Sequence, residues 1–511
     1  MSWKNRSDKI FAVIAKNKPL LVIFLLSTSF FAWQHQFISW DFASYASNAD
    51  YWQGDIYRIG SESDSAGFYY EISRPPLVPV ILYLLGIFPL SEYIFIILAS
   101  LLFLYSSVRF ADCVKIRREF FYIFSLSPVA LFYGMLNGTE LLSLALLELF
   151  LVYLLEKKPQ AGMFLGLAFL TRYNFLIFFP LIFSNRYPKK IAATIALFLI
   201  PMIPWLAFNF ITTGNMLTSL ADSFALNFKY RYYFTQPSSI LHILTALSFL
   251  LPLFLLGMWQ AFRKWSFKPA MKFLCSEKAK LLLIVVIALS LYQYLTTPSK
   301  ELRYLFPLVL PVAYFSAKGI ETFRKKAAII AIILVALNLT LFASMNTGYE
   351  TRERYQDAIN ILKSNQIENC RVMSNAWPIM NYIGQPSEPF PRKELLGKAI
   401  EEGNIVILFP SMGEPEWMQD RDFIREFPAV YESSELIVLG TGECNPPMRY
   451  EHNYMALLHE KIRNVYNVSI NTNPCFVMFR GGVLENTCNF ANGKGFVLDE
   501  NREDGLLLVR D

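Results

Sequence analysis

Hydrophobic positions run along this chain in long blocks, many of them close to the roughly 20 residues a helix needs to cross a bilayer. Spans are predicted near 20–38, 92–109, 120–136, 140–156, 190–211, 239–260, 281–297, 302–318 and 327–345. Two blocks depart from the pattern. Leu77 to Leu90 is only 14 residues long, carries Pro79 and closes on Pro89, so it is expected to lie in the interface or re-enter rather than span. Ala161 to Phe183 is long enough, but Thr171-Arg172-Tyr173-Asn174 interrupts its middle. After Met345 the pattern is that of an ordinary soluble domain, with a helix over 351–364, a strand over Cys370 to Ser374, a helix over Arg392 to Glu401 and a buried strand over Ile405 to Phe409. That order predicts an α/β domain. From about Pro446 onward, Cys475-Phe476-Val477-Met478-Phe479 and Gly495-Phe496-Val497-Leu498 read as β structure.

Composition agrees with the block pattern. Over 511 residues, 54% are hydrophobic, 16% aromatic and only 17% charged, more apolar surface than a soluble fold hides, so the chain reads as a polytopic membrane protein. The net charge of +6 does not indicate a nucleic-acid partner, because the Lys and Arg residues cluster in short loops between spans. With the N-terminus in the cytoplasm and Leu77 to Leu90 kept outside, the cytoplasmic loops hold 24 Lys and Arg and the outer loops before residue 346 hold six. This orientation makes Ala161 to Phe183 go in and come back as two short helices with Arg172 at the apex, for about 11 membrane helices in all. The first span has no small-residue cleavage site after it and is expected to be retained. The expected domains are 1–345 in the membrane, with a first outer loop at 39–91, and 346–511 outside. Cys370, Cys444, Cys475 and Cys488 lie in the outer domain, where one or two disulfides of open pairing are expected. Cys113 and Cys275 fall in cytoplasmic loops, and there is no zinc-type spacing or internal repeat.

Candidate chemistry concentrates on the outer side. Asp41 follows the first span directly, at the membrane surface, where a carboxylate is suited to act as general base on an acceptor hydroxyl; the alternative is an interfacial Asp that caps a short helix. Asp50, Asp55 and Glu71 in the same loop are candidates for metal or acceptor contacts, or are simply solvated. Arg74, before Pro75-Pro76, is a candidate phosphate ligand or an interfacial anchor. Lys300-Glu301-Leu302-Arg303-Tyr304 places two cations on the side otherwise poor in them, so an anion is expected there, either Glu301 or a ligand phosphate. Arg172, at membrane depth, needs a partner, and Glu140, opening a span from the outer side, is one candidate. Tyr230 and Arg231, in an aromatic and basic outer loop, are suited to a lipid head group or to interfacial anchoring.

Taken together, these residues resemble the GT-C superfamily of polyprenyl-phosphate-sugar-dependent glycosyltransferases, particularly the protein O-mannosyltransferases and the aminoarabinose transferases of lipid A. The likeness rests on Asp41 directly after the first span, a Tyr-Ala pair and Gly54-Asp55 in the loop, and Arg74 before Pro75-Pro76-Leu77. Gly166-Leu167-Ala168-Phe169-Leu170-Thr171-Arg172 and Lys300-Glu301-Leu302-Arg303-Tyr304 complete it. It covers roughly residues 20–345. The resemblance implies an α-helical membrane fold with outer juxtamembrane helices, Asp41 as catalytic base and Arg74 in place of a phosphate-contacting lysine. Asp41 is followed by Phe42 where many members have a second acid, and Glu140 stands where a cavity acid is often Asp, which leaves acceptor contacts and any divalent cation open.

The expected function is an inverting glycosyltransferase of the cell membrane that moves a sugar from a polyprenyl (dolichyl or undecaprenyl) monophosphate to a protein, lipid or glycan acceptor on the extracytoplasmic face. In this reading Arg74, Arg172, Lys300 and Arg303 hold the donor phosphate. The alternative is a transporter or flippase of lipid-linked sugars, which would use the same cations without chemistry. A receptor anchored by its spans is disfavoured, because anchoring does not require nine.

Overall fold

The computed structural model describes residues 18–442 apart from 38, 54–73, 186, 214, 225–236, 264–274, 299, 346–351, 386, 392 and 413–415, together with the backbone of 496–502 and 505–510. Among the described residues, five segments are long and apolar enough to cross a membrane, or six with one bent pair counted as a span. They include Ser91–Val114, Pro188–Ile211, Ile240–Arg263 and Lys278–Thr296. The fifth, Leu302–Met345, covers 44 residues. That is about 66 Å of helix, twice a bilayer core. It breaks at Arg324, where φ is 44° and ψ −107°, between the Val309–Ile320 and Ala327–Met345 helices. Its halves correspond to the predicted spans 302–318 and 327–345.

Shorter apolar helices fill the remaining predicted positions. The first is Lys18–Gln34, and the Glu140–Leu155 helix lies at the centre, with nearly every residue buried. The single span predicted over 120–136 is instead two helices, Arg118–Ser125 and Pro128–Leu136, bent by 65°. Pro128 lacks an N–H and Ser127 caps the second helix by accepting from the Ala130 N–H at 3.3 Å, so a new helix starts where one was expected to continue. Leu77 to Leu90 forms a helix of only nine residues, Leu77–Leu85, too short to span. The Ala161–Thr171 helix ends at Arg172, whose backbone is extended, and continues as a 3₁₀ helix over Tyr173–Ser184, so the predicted break falls on the predicted residue.

After the membrane helices comes the Arg352–Ser364 helix and a five-stranded sheet, β1 Val372–Ser374, β2 Ser387–Pro389, β3 Ile405–Leu408, β4 Ala429–Glu432 and β5 Ile437–Leu439. Its order is β2-β1-β3-β5-β4, parallel across β2, β1 and β3 and antiparallel from β3 to β5 and β4. Alternation on β3 sends Ile405 and Ile407 to the layer containing Tyr355 and Ile359, and Val406 and Leu408 to the layer containing Leu396 and Ile400. Covering both faces explains the unbroken Ile-Val-Ile-Leu run. A separate hairpin, β6 Phe496–Arg502 with β7 Gly505–Arg510, includes residues of the second predicted β run. The first such run, over 475–479, lies outside the described residues.

One helix crossing shows how tightly the membrane part is built. The Leu251–Arg263 and Val309–Ile320 helices touch backbone to backbone: a Cβ on Gly257 would stand 1.8 Å from the Phe315 carbonyl oxygen, and one on Gly319 2.2 Å from that of Leu253. Small residues at such crossings allow the close van der Waals contact that holds helices together in lipid. Gly257→Val or Gly319→Val should therefore cost about 1–3 kcal/mol or more of stability. A thermal melt in detergent measures it, and an unchanged midpoint would refute the crossing.

Candidate active site

Ser39 starts the helix that carries Asp41. Its Oγ accepts from the Phe42 N–H at 3.0 Å and donates to the Leu136 carbonyl at 2.8 Å, capping the Trp40–Gln53 helix and tying it to the bent pair below. Asp41 is thus not the cap; it lies in the first turn with both oxygens engaged elsewhere. Arg74 Nη1 donates to Asp41 Oδ1 at 2.6 Å, and Arg303 Nη1 donates to Asp41 Oδ2. Three segments far apart in sequence meet at this carboxylate. All three side chains are less than one-fifth exposed.

The arginines are themselves held in place. Arg303 Nη2 donates to Glu301 Oε1 at 3.1 Å, so Glu301, one of the two anions expected for this cluster, is in contact with Arg303. The Arg74 guanidinium lies over the Tyr45 ring, 5.6 Å from its centroid, and the Arg74 carbonyl accepts a 3.4 Å bond from Tyr173 Oη. Trp205 Nε1 donates to the same Tyr173 oxygen at 2.8 Å. Tyr45, one helical turn after Asp41, is a site residue that the sequence reading left without a role; the signal was its i+4 spacing. Burial pushes its phenol up to about 12, so it stays neutral.

Arg172 and Glu140 form a second cluster. Arg172 Nη1 donates to Glu140 Oε1 and, at 3.1 Å, to Thr139 Oγ1, while Asn137 Nδ2 donates to the same Glu140 oxygen at 3.0 Å. Glu140 is fully buried, and a buried carboxylate requires such partners. The corner at Asn137 to Glu140 passes directly under Phe42: Gly138 has φ +74°, and a Cβ there would stand 2.7 Å from the Phe42 ring. The structural partner considered for Arg172 is therefore present.

Lys300 is engaged differently from its expected place on a phosphate. Its Nζ donates to the carbonyls of Tyr294, Leu295 and Thr297 at 3.0, 2.7 and 2.5 Å, closing the end of the Cys275–Thr296 helix. A cation on the last carbonyls satisfies acceptors that the helix leaves unpaired. Asp50 falls in the Trp40–Gln53 helix, while Asp55, Glu71, Tyr230 and Arg231 lie outside the described residues. Among the described residues no three His, Cys, Asp or Glu side chains converge as metal ligands.

A cavity of about 440 Å³ opens beside Arg303. Lys300, Glu301, Arg303, Asn137 and His242 form its polar wall, and Phe132, Tyr133, Leu302 and Met345 its apolar one. His242 was not singled out by the sequence; its Nδ1 lies 3.0 Å from Tyr294 Oη. The arrangement suits an anionic head with an apolar tail.

Burial alone would raise the Asp41 pKa, but the charges of Arg303 and then Arg74, with the Arg74 hydrogen bond, hold the carboxyl far below the usual carboxylate range. A depressed folded-state pKa contributes stability that is present at neutral pH and lost on acidification. The stability margin of wild type over Asp41→Asn should thus stay level from about pH 8 to 5 and shrink below about pH 4. Thermal melts across that range test it, and a margin that grows in acid would contradict the pairing. Lys300→Met, by stranding three carbonyls, should lower stability by about 1–3 kcal/mol in the same assay; a variant that melts like wild type would remove the capping role.

No protein-family model and no curated protein matches the sequence. Solved structures do match in shape. The crystal structure of ArnT from Cupriavidus metallidurans bound to undecaprenyl phosphate superposes with a TM-score of 0.55 at 10% identity, covering 85% of this chain and 99% of that one. Its apo form gives 0.53 at 11% identity, covering 85% and 100%. At that identity the match concerns architecture alone, and the conclusion is that this chain has the ArnT fold.

Proposed function

We propose that the protein is an inverting glycosyltransferase that uses a polyprenyl monophosphate sugar as donor and transfers the sugar to an acceptor hydroxyl on the extracytoplasmic face, with Asp41 as general base. The observation that carries this reading is the Asp41 carboxylate bracketed by Arg74 and Arg303, with Arg303 also lining a cavity that has one charged and one apolar wall. The GT-C resemblance at Asp41, Arg74 and Lys300 to Tyr304 supports it, and so does the fold shared with a protein crystallised with undecaprenyl phosphate. Cys370 is disulfide-bonded. Disulfides persist in oxidising compartments, which supports an outer position for the domain at 346–511 and a cytoplasmic N-terminus for the membrane domain at 1–345.

A carboxylate held by two guanidiniums is a weak base. In the proposed mechanism the donor phosphate enters as a competing anion and takes a share of Arg74 and Arg303. Asp41 then loses counter-charge and gains basicity. It accepts the proton of the acceptor hydroxyl as that oxygen attacks the anomeric carbon; the bond from that carbon to the phosphate oxygen breaks, and its electron pair stays on the phosphate. The charge that grows there is stabilised by the same arginines, which is where binding energy lowers the barrier. Arg172 supports this field from its pair with Glu140, and Lys300 shapes the cavity wall.

Asp41→Asn should abolish transfer while remaining folded and inserted. Arg303→Lys, which keeps the charge but not the planar fork, should lower kcat/KM by roughly 10- to 100-fold, or about 1.4–2.7 kcal/mol. Incubating purified protein with a panel of polyprenyl-phosphate sugars and following released polyprenyl phosphate by mass spectrometry measures both. Wild-type-like turnover by Asp41→Asn would remove the base assignment. Movement of the lipid across a proteoliposome bilayer with no transfer would favour the flippase reading.

A further inference from the structure

The α/β unit of Arg352–Leu439 does not merely follow the membrane helices; it reaches the helix that carries Asp41. Ala43, two residues from Asp41, is fully buried in the hydrophobic layer of that unit, with Ile359, Met380 and Val438. The rings of Trp40 and Trp377 meet edge to face at 5.7 Å, and those of Phe42 and Tyr382 at 5.9 Å. Residues on both sides of Asp41 are therefore covered by the short Trp377–Tyr382 helix. Phe42, Tyr45, Ala46 and Ala49 belong to the membrane core, so the Asp41 helix is wedged between two hydrophobic bodies.

A polar clasp fastens the same junction. Tyr382 Oη donates to Glu92 Oε2 at 2.5 Å, at the start of the Ser91–Val114 helix, and His35 Nε2 lies 2.5 Å from the same oxygen, just past the Lys18–Gln34 helix. The Arg352 N–H donates to the Gln36 carbonyl at 3.0 Å, and its guanidinium lies 5.3 Å from the Tyr382 ring centroid. The α/β unit thus holds the helix entering the site, the helix leaving the first outer loop, and the Asp41 helix between them.

We infer that Trp377 and Tyr382 are positioning residues for glycosyl transfer, holding the first turn of the Asp41 helix so that its carboxylate meets Arg74 and Arg303. Neither touches the reacting groups; each acts through Trp40 or Phe42. A base must sit within about 0.5 Å of its productive position, so a loosened first turn affects the chemical step more than donor binding. This inference rests on the transferase reading for its catalytic consequence, but the grip itself is measurable without activity.

The test uses full-length protein in lipid nanodiscs and compares Trp377→Ala, Trp377→Phe, Tyr382→Phe, Trp40→Ala, the Trp40→Ala/Trp377→Ala double variant and Ile424→Ala. Ile424 lies in the opposite layer of the same unit and serves as a control for general destabilisation. Amide hydrogen exchange over residues 40–53 should speed up about tenfold or more in Trp377→Ala and remain at the wild-type rate in Ile424→Ala. With a polyprenyl-phosphate sugar donor, Trp377→Ala should lose about tenfold in kcat with donor KM within about threefold of wild type. Trp377→Phe should recover most of the loss, Tyr382→Phe should show a smaller loss, and the double variant should be no worse than the poorer single one. Unchanged exchange over 40–53 in Trp377→Ala would overturn the grip. A kcat loss in Ile424→Ala equal to that in Trp377→Ala, or additive losses in the double variant, would overturn the positioning role. If wild-type protein transfers no sugar from any donor while exchange responds as expected, the transferase reading fails and the grip stands.

Discussion

Charge balance at one carboxylate organises this site and the segments around it. Asp41, Arg74 and Arg303 come from the Trp40–Gln53 helix, the segment before the Leu77–Leu85 helix and the turn that leads into the Val309–Ile320 helix, and each would be costly to leave alone in so shielded a place. Satisfying them requires all three segments to arrive together. Ser39 ties the Asp41 helix to Leu136, Tyr173 and Trp205 hold the Arg74 backbone, and Glu301 restrains Arg303. A close backbone crossing, Gly257 against Gly319, involves the helix that runs on from Arg303.

The same balance sets the chemical character of the site. Two guanidiniums that hold an aspartate can also donate to another anion, so any anion entering there would compete with the Asp41 carboxylate for the same donors. The second ion pair, Arg172 with Glu140, lies beneath it and is closed by Asn137 and Thr139. Farther along the same helix, Glu148 is fully buried and accepts from the hydroxyls of Ser106 at 2.5 Å and Ser107 at 2.9 Å. Sequence reading passed over it because a single Glu within a leucine-rich run carries no spacing signal.

Membrane architecture was legible because hydrocarbon imposes length. Any chain that crosses it must offer apolar runs near 20 residues, and those runs, the short Leu77–Leu85 helix and the break at Arg172 are all visible without coordinates. The α/β order after Met345 was legible for a related reason: strands with two buried faces read as unbroken apolar runs, as β3 does. The 65° bend at Leu126 and Ser127 was missed, since an apolar count is blind to direction and a proline at a helix start looks the same as one within it. Gly166 illustrates the limit of a motif. Its place in the Gly-Leu-Ala run marked a resemblance, but its physical basis, a Cβ that would stand 2.5 Å from the Phe198 carbonyl oxygen, belongs to a helix pair that no local pattern reveals.

What the sequence determined by itself was which residues are expensive: acids and arginines next to or within apolar spans, each requiring a partner or a function. Arg172, Glu140, Asp41, Arg74, Lys300 and Arg303 all stood out on that ground. Which partner each one takes was decided only by the tertiary structure. Lys300 turned to the end of its own preceding helix, Glu140 to Arg172, and Asp41 to two arginines at once. The cost of burying a charge is a local property and can be read along the chain, whereas its compensation is a direct hydrogen-bonded contact between segments up to 262 residues apart. Only the packed helices, with the α/β unit pressed against Trp40 and Ala43, bring those segments within reach.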